Sequence, residues 1–191
     1  MGGLWRFTRN PYARRLYDWL SARGLRFTWL TEYVTDLSTV DWDHDRSPAM
    51  DVRVELTDPD TVRAIDAPVD VLAPGEVVIA AVEDGQPRGY LFCSVDAPIY
   101  VHPLGRDISF DGAYIRRVFV SPDHRQRGIA STLLARACAW ANDVGADRAT
   151  ALVAPDNVPS RALFERHGFE PVRERRYLRI GPFTGRSTSG R

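Results

Sequence analysis

The chain contains no lysine: all 25 of its basic residues are arginine, which reads as a bias of composition rather than a functional signal. It has two cysteines, Cys93 and Cys138, too few for a disulfide framework or a thiolate zinc site by themselves. Cys138 falls in an apolar helical pattern and Cys93 in a strand pattern, so both read as small core residues. No stretch approaches the run of roughly 20 apolar residues needed to cross a bilayer. The N-terminus lacks the continuous apolar core of a signal peptide, and Arg6 stands where an N-myristoylation pattern needs Ser or Thr. The expected location is therefore cytoplasmic, with no membrane-spanning segment. The arginines follow no groove-binding motif, which argues against a nucleic-acid partner. No internal repeat is visible.

What is present is the composition of an ordinary globular protein, 44% apolar and 26% charged over 191 residues. That length suits one well-buried domain with an appendage. Net charge is zero but unevenly spread: residues 1–100 carry 10 Arg against 16 acids, and residues 101–191 carry 15 Arg against 9 acids. An acidic half joined to a basic half suits a site that holds a polyanion beside a cationic partner, unless folding intermixes the two halves.

Residues 1–49 are expected to form an N-terminal extension. Asn10 suits a helix cap, Pro11 its first turn and Gly24 its end, with Tyr12, Leu16, Trp19 and Leu20 as an apolar stripe between them. The first 17 residues hold four arginines and no acid beside Trp5 and Phe7. Such a helix docks on its own domain or serves as a membrane-surface or partner-binding element. Asp41-Trp42-Asp43-His44-Asp45 lacks the spacing and turn glycine of a hard-metal loop and reads as solvated, so no metal is expected.

From Met50 strands and helices alternate. Asp51–Leu56 reads as a strand and Asp58–Ile65 as a short helix. Glu76–Glu83 and Gly89–Val95 form a hairpin across Asp84-Gly85-Gln86-Pro87. A looser segment over 96–112 leads to the strand Ala113–Val120. A helix over 128–144, a strand over 148–153, a helix over 159–167 and a strand over 173–180 follow. Residues 181–191, rich in Gly, Ser and Thr, are expected to be a flexible tail. Hairpin strands followed by β-α-β-α-β argue for an α/β mixed sheet flanked by helices, here over residues 50–180.

After Val120 a strand ends, a short turn passes through Arg125-Gln126-Arg127-Gly128, and a long helix begins at once. A helix N-terminus presents free N–H groups and partial positive charge, and so favours phosphate. Gly128 permits backbone angles and an approach distance that a side chain blocks. Ala130 keeps the next turn small, and Arg125 and Arg127 add charge. The turn lacks the Lys-Ser/Thr ending of a nucleotide triphosphate loop and the second glycine of a dinucleotide fingerprint. On this hexapeptide alone, a pyrophosphate site and an ordinary strand-to-helix connection stand equal.

Arg125-Gln126-Arg127-Gly128-Ile129-Ala130 resembles the Gln/Arg-x-x-Gly-x-Gly/Ala motif of the GNAT superfamily of acyl-CoA N-acyltransferases. Arg117–Pro122 looks like that family's fourth strand and its exit. Asn157–Phe169 resembles its second signature, Asn-x-x-Ala-x-x-Leu-Tyr-x-x-x-Gly-Phe. The resemblance covers about residues 50–180. It implies a central mixed, mostly antiparallel sheet splayed between strands 4 and 5, here with an N-terminal helical extension. It also implies acetyl-CoA as acyl donor, with its pyrophosphate on the backbone of Arg127, Gly128, Ile129 and Ala130 and on the Arg125–Gln126 turn. The pantetheine arm pairs with the main chain of Val118 and Val120, and Asn157 either contacts it or caps a helix.

Two positions depart from the family pattern. Phe164 stands where the family's second signature has a proton-donating Tyr, and Tyr114 where a general-base carboxylate is common. Tyr114, Tyr177 or a carboxylate such as Asp111 or Glu83 is then left for the proton work, or the acceptor amine has a low pKa and needs no strong base. His102, His124 and His167 have no partner identifiable in sequence. The expected activity is transfer of an acetyl group to a primary amine, a protein α-amino group or a small amine, with a cationic acceptor favoured by the acidic half. A homodimer is allowed. The rival is a catalytically weak acyl-CoA sensor or interaction module.

Overall fold

The computed structural model describes residues 25–38, 42, 52–101, 104–180 and 183–190. The expected helix over 10–24, His102, and the Asp41–Asp45 segment other than Trp42 lie outside these residues. In chain order the strands are β1 (Leu25–Asp36), β2 (Arg53–Thr57), β3 (Val77–Glu83), β4 (Gln86–Val95), β5 (Ile99–Val101), β6 (Arg106–Ile108) and β7 (Ala113–Val120). Helix α1 (Ile129–Asp143), β8 (Arg148–Val153), α2 (Val158–Arg166), β9 (Glu170–Ile180) and β10 (Phe183–Gly190) follow.

Eight strands form one sheet in the order β10-β9-β1-β8-β7-β4-β3-β2. Every neighbouring pair is antiparallel except β7–β8. That pair is parallel because α1 carries the chain back across the sheet between them. The β3–β4 hairpin closes through Asp84 and Gly85, both at positive φ (52° and 72°), the geometry that matches strand twist. The expected helix at Asp58–Ile65 is a 3-10 segment, Pro59–Ile65, opened by the Asp58 carboxylate accepting from the Asp60 N–H at 2.8 Å. The looser segment over 96–112 folds its centre into the β5–β6 hairpin.

Two expectations fail at the ends. The domain does not begin at residue 50: β1 lies inside the sheet, paired with β8 from Thr31 to Asp36 and with β9 from Leu25 to Val34. Its signal was obscured because the strand is buried on both faces and polar residues sit among the buried ones. Thr31, Glu32 and Thr35 are each under 9% exposed, so no clean alternation appears in sequence. The tail is not free either, since β10 pairs with β9 over its whole length. An edge strand is held by its backbone ladder, which Gly, Ser and Thr satisfy as well as apolar residues do.

Helix α1 lays Leu133, Leu134, Ala137, Cys138 and Ala141 on one face of the sheet against Leu91, Cys93, Ala113 and Ile115. Both cysteines are free and fully buried, and burial pushes their thiols up, so they are packing groups. The opposite face carries two clusters: Leu30, Val101, Leu104, Ile108, Phe110, Tyr114 and Tyr177 in one, and Val62, Val78, Ala80, Tyr90 and Phe92 in the other.

Glu32 is the most buried charge of β1, 5% exposed, with Arg175 Nε at 2.6 Å and Arg173 Nε at 3.4 Å. Removing one partner of such a pair leaves the other charge buried without compensation. Glu32→Ala is therefore expected to lower stability by about 3–5 kcal/mol, read as a shift of the urea midpoint. A loss near zero would mean that Arg175 finds water instead.

Candidate active site

Strand β7 builds the site by leaving its neighbour. It pairs with β8 over only three residue pairs, Ala113–Ala149, Tyr114–Thr150 and Ile115–Ala151. The two strands then run on to Val120 and Val153 without pairing. The cause is a bulge on the β4 side: Tyr90 faces Phe119 and Phe92 faces Arg116, so Arg117 and Val118 oppose Leu91 alone. Arg117 takes φ 55° there. A bulge bends and twists its strand, and here it opens a wedge between β7 and β8. Backbone groups of Arg116–Val120 that face β8 are left without a strand partner.

The wedge opens toward the turn that β7 runs into. Gly128 caps α1 at φ 81° with no side-chain cap, and the first helical turn has no acidic residue. The first N–H with an acceptor inside the helix is that of Thr132, bonded to Gly128 O at 3.1 Å. Those of Ile129, Ala130 and Ser131 have none within it. A Cβ built on Gly128 would meet nothing within 4 Å, so the space outside the turn is open. Gln126 also has positive φ, 62°, and such alternation turns successive N–H groups toward one concavity.

The arginines of the turn are structural. Arg125 Nε donates to Val120 O at 3.0 Å, tying the turn back to the strand end. Arg127 donates to Glu83 at 2.5 Å, and Glu83 also lies 3.2 Å from His124 Nε2 and 3.4 Å from Arg88 Nε. Arg127 foremost holds the Glu83 carboxyl below the usual carboxylate range. Glu83 therefore anchors the loop to the β3–β4 hairpin and is not available as a base. Of the two strand positions expected to pair with a ligand, Val118 sits in the bulge, whereas the carbonyl of Val120 already accepts from Arg125. Ile129 is buried in the core, so only its main chain faces the turn.

Asn157 Oδ1 accepts from Ser160 N at 3.3 Å, capping α2. Phe164 packs edge to face on Phe169 at 5.0 Å, within the core under α2. His167 takes Leu163 O at 2.7 Å and belongs to the same helix end. Asp111 is 88% exposed and pairs with Arg148 at the closed end of the β7–β8 pair, so it too is remote from the wedge.

Tyr114 and Tyr177 come together in the cluster on the face opposite α1, with Leu152 and Ala154 from the β8 side of the wedge packed against it. Tyr114 stacks on Phe110 at 4.2 Å and is 5% exposed. Burial pushes its phenol up to about 12, so it keeps its proton at neutral pH. Its hydroxyl makes no hydrogen bond to the described residues. Four further charges lie on this side, of which the sequence pointed only to Arg175, beside Tyr177. Glu32 and Arg175 pair across β1 and β9, while Arg116 grips the buried Glu76 through Nε at 2.6 Å and Nη2 at 2.5 Å. The signal for Glu32 was its place in β1; Glu76 and Arg116 carry none in one dimension.

A parallel pair that opens into a wedge, with a glycine-capped helix N-terminus at its mouth, sets unpaired strand backbone beside free helix N–H groups. The model of the Acetyltransferase (GNAT) family matches residues 15–169, and the chain belongs to that family. No curated protein sequence matches the chain. Among solved structures, a Drosophila protein is similar at 13% identity and TM-score 0.60, over 90% of this chain and 58% of its own. A putative GNAT acetyltransferase from Novosphingobium aromaticivorans is similar at 16% identity and TM-score 0.56, over 86% of this chain and 67% of its own. A GCN5-related N-acetyltransferase from Kribbella flavida has 16% identity and TM-score 0.56, over 92% and 66%. The chain thus spans less than two thirds of the Drosophila protein's length. The matched range includes β1, which the sequence resemblance had left outside.

Proposed function

We propose that the protein is an N-acetyltransferase that moves the acetyl group of acetyl-CoA to a primary amine by direct attack on the thioester. The observation that carries this reading is the alignment of the β7–β8 wedge with the open Gly128 turn on one strand. The pyrophosphate sits on the free N–H groups of the turn, where helix dipole and geometry both favour it. The pantetheine arm takes the place of β8 along Val118, adding itself to the sheet edge.

The amine must arrive neutral. Its lone pair forms the new C–N bond while a β7 N–H stabilises the oxyanion, the C–S bond breaks, and the thiolate takes a proton. Tyr114, a protonated phenol buried beside the wedge, acts as the acid. The proton that the amine loses returns through water to the Tyr114 phenolate, which restores the acid. Tyr177 packs beside Tyr114 and positions it.

Thiol release from acetyl-CoA with a panel of amines tests the reading. Turnover that depends on the amine is expected. Binding of acetyl-CoA without thiol release from any acceptor would instead favour the sensor reading that Phe164 invites.

A further inference from the structure

The same side of the sheet holds a small pocket that shares only the positioning residue Tyr177 with the transfer chemistry above. Leu104, Arg106, Arg175, Tyr177 and Thr188 are among its lining residues, and its volume is about 60 Å³. About 10–15 Å³ of such volume holds one water, so the pocket has room for a carboxylate-sized group. Leu104 and Tyr177 also belong to the buried cluster that contains Tyr114 and touches Leu152 and Ala154. Pocket and wedge therefore border the same buried cluster, on one side of the sheet.

Charge in this region is unbalanced. Arg116 is matched by Glu76, while Glu32 takes both Arg173 and Arg175. Arg106 on β6 is half-buried and makes no hydrogen bond or ion pair with the described residues. With both glutamates so paired, the Arg106 guanidinium has no counter-charge among the described residues. Gly105 holds the β5–β6 hairpin down on the neighbouring ring, since a Cβ there would lie 3.3 Å from the Tyr177 hydroxyl. Arg106 is thereby fixed beside the pocket. A guanidinium fork matches a carboxylate in shape and charge, whereas a second cation on the acceptor would be repelled.

Resting on the acetyltransferase reading, we propose that the acceptor is an amine that also carries a carboxylate. Arg106, backed by Arg175, holds that carboxylate in the pocket beside Tyr177 while the amine reaches the wedge. This reverses the cationic acceptor expected from the acidic half of the sequence.

The test is thiol release with matched acceptors, amino acids against their amides and against spermidine, with acetyl-CoA affinity measured separately by calorimetry. Amino acids are expected to show a KM at least about tenfold below that of their amides. Arg106→Gln should raise the KM for the amino acid about tenfold with a far smaller change in kcat, and Arg106→Lys should recover part of it. Equal or better use of amides or spermidine, no use of any carboxylated amine, or an Arg106→Gln KM equal to wild type overturns the proposal. Acetyl-CoA binding with turnover of uncharged or cationic amines alone would sink it and leave the acetyltransferase reading standing. Absence of acetyl-CoA binding removes both.

Discussion

Gly128→Glu should weaken acetyl-CoA binding by at least about a hundredfold, a loss of roughly 3 kcal/mol or more, while the protein stays folded. Three physical effects act together at this position. Its φ of 81° is one that a side chain adopts at a cost of about 1–2 kcal/mol. The Cβ would point into open space rather than into the core, so the fold suffers little beyond that strain. The added carboxylate would occupy the place and repel the charge of the pyrophosphate. Gly128→Ala separates the causes, because it carries the backbone strain without the charge. Calorimetric titration with CoA reads the affinity and urea unfolding reads the fold. Unchanged affinity in the glutamate variant would remove the turn from the site altogether.

Tyr114→Phe should lower kcat by about a hundredfold or more, the usual contribution of a positioned proton donor, with acetyl-CoA affinity little changed. The ring stays stacked on Phe110 in the variant, so packing is preserved and only the proton is lost. The pH profile carries an independent signature. Because burial raises the Tyr114 phenol to about 12, the protonated, donating form persists across the whole neutral range. Activity should therefore rise with pH as the acceptor amine deprotonates, at about pH 8 for an α-amino group. It should show no falling limb below about pH 10, where an ordinary phenol would begin to ionise. A falling limb near neutrality, or a phenylalanine variant as fast as wild type, would reduce Tyr114 to a packing residue.

Much of the fold could be read from the chain because its signals are local. Strands β7 and β8, helix α1 and the β3–β4 hairpin announce themselves through periodicity, a Gly-containing turn and an abrupt strand-to-helix change. Both ends were misread for the opposite reason. Leu25–Asp36 becomes a strand only by intercalating between β8 and β9, and Phe183–Gly190 only by pairing with β9. Neither is legible without the partner. The charge asymmetry had the same defect. Glu32, Glu76 and Glu83 of the acidic half are bound to Arg175, Arg116 and Arg127 of the basic half. Folding thus consumes the asymmetry in ion pairs between the two halves.

The sequence by itself marked the candidate donor turn: a glycine at the mouth of a helix, after a strand and ahead of a second signature, is a local arrangement that needs only backbone geometry. The tertiary structure decided which side chains surround that turn and the wedge. It ruled out Glu83 and Asp111 as bases, made Asn157 a helix cap, and brought Tyr114, Tyr177, Glu32 and Arg106 to one side of the sheet. Those residues come from separate strands, and their nearness is set by strand order, a bulge and burial, none of which is written in the spacing of residues along the chain.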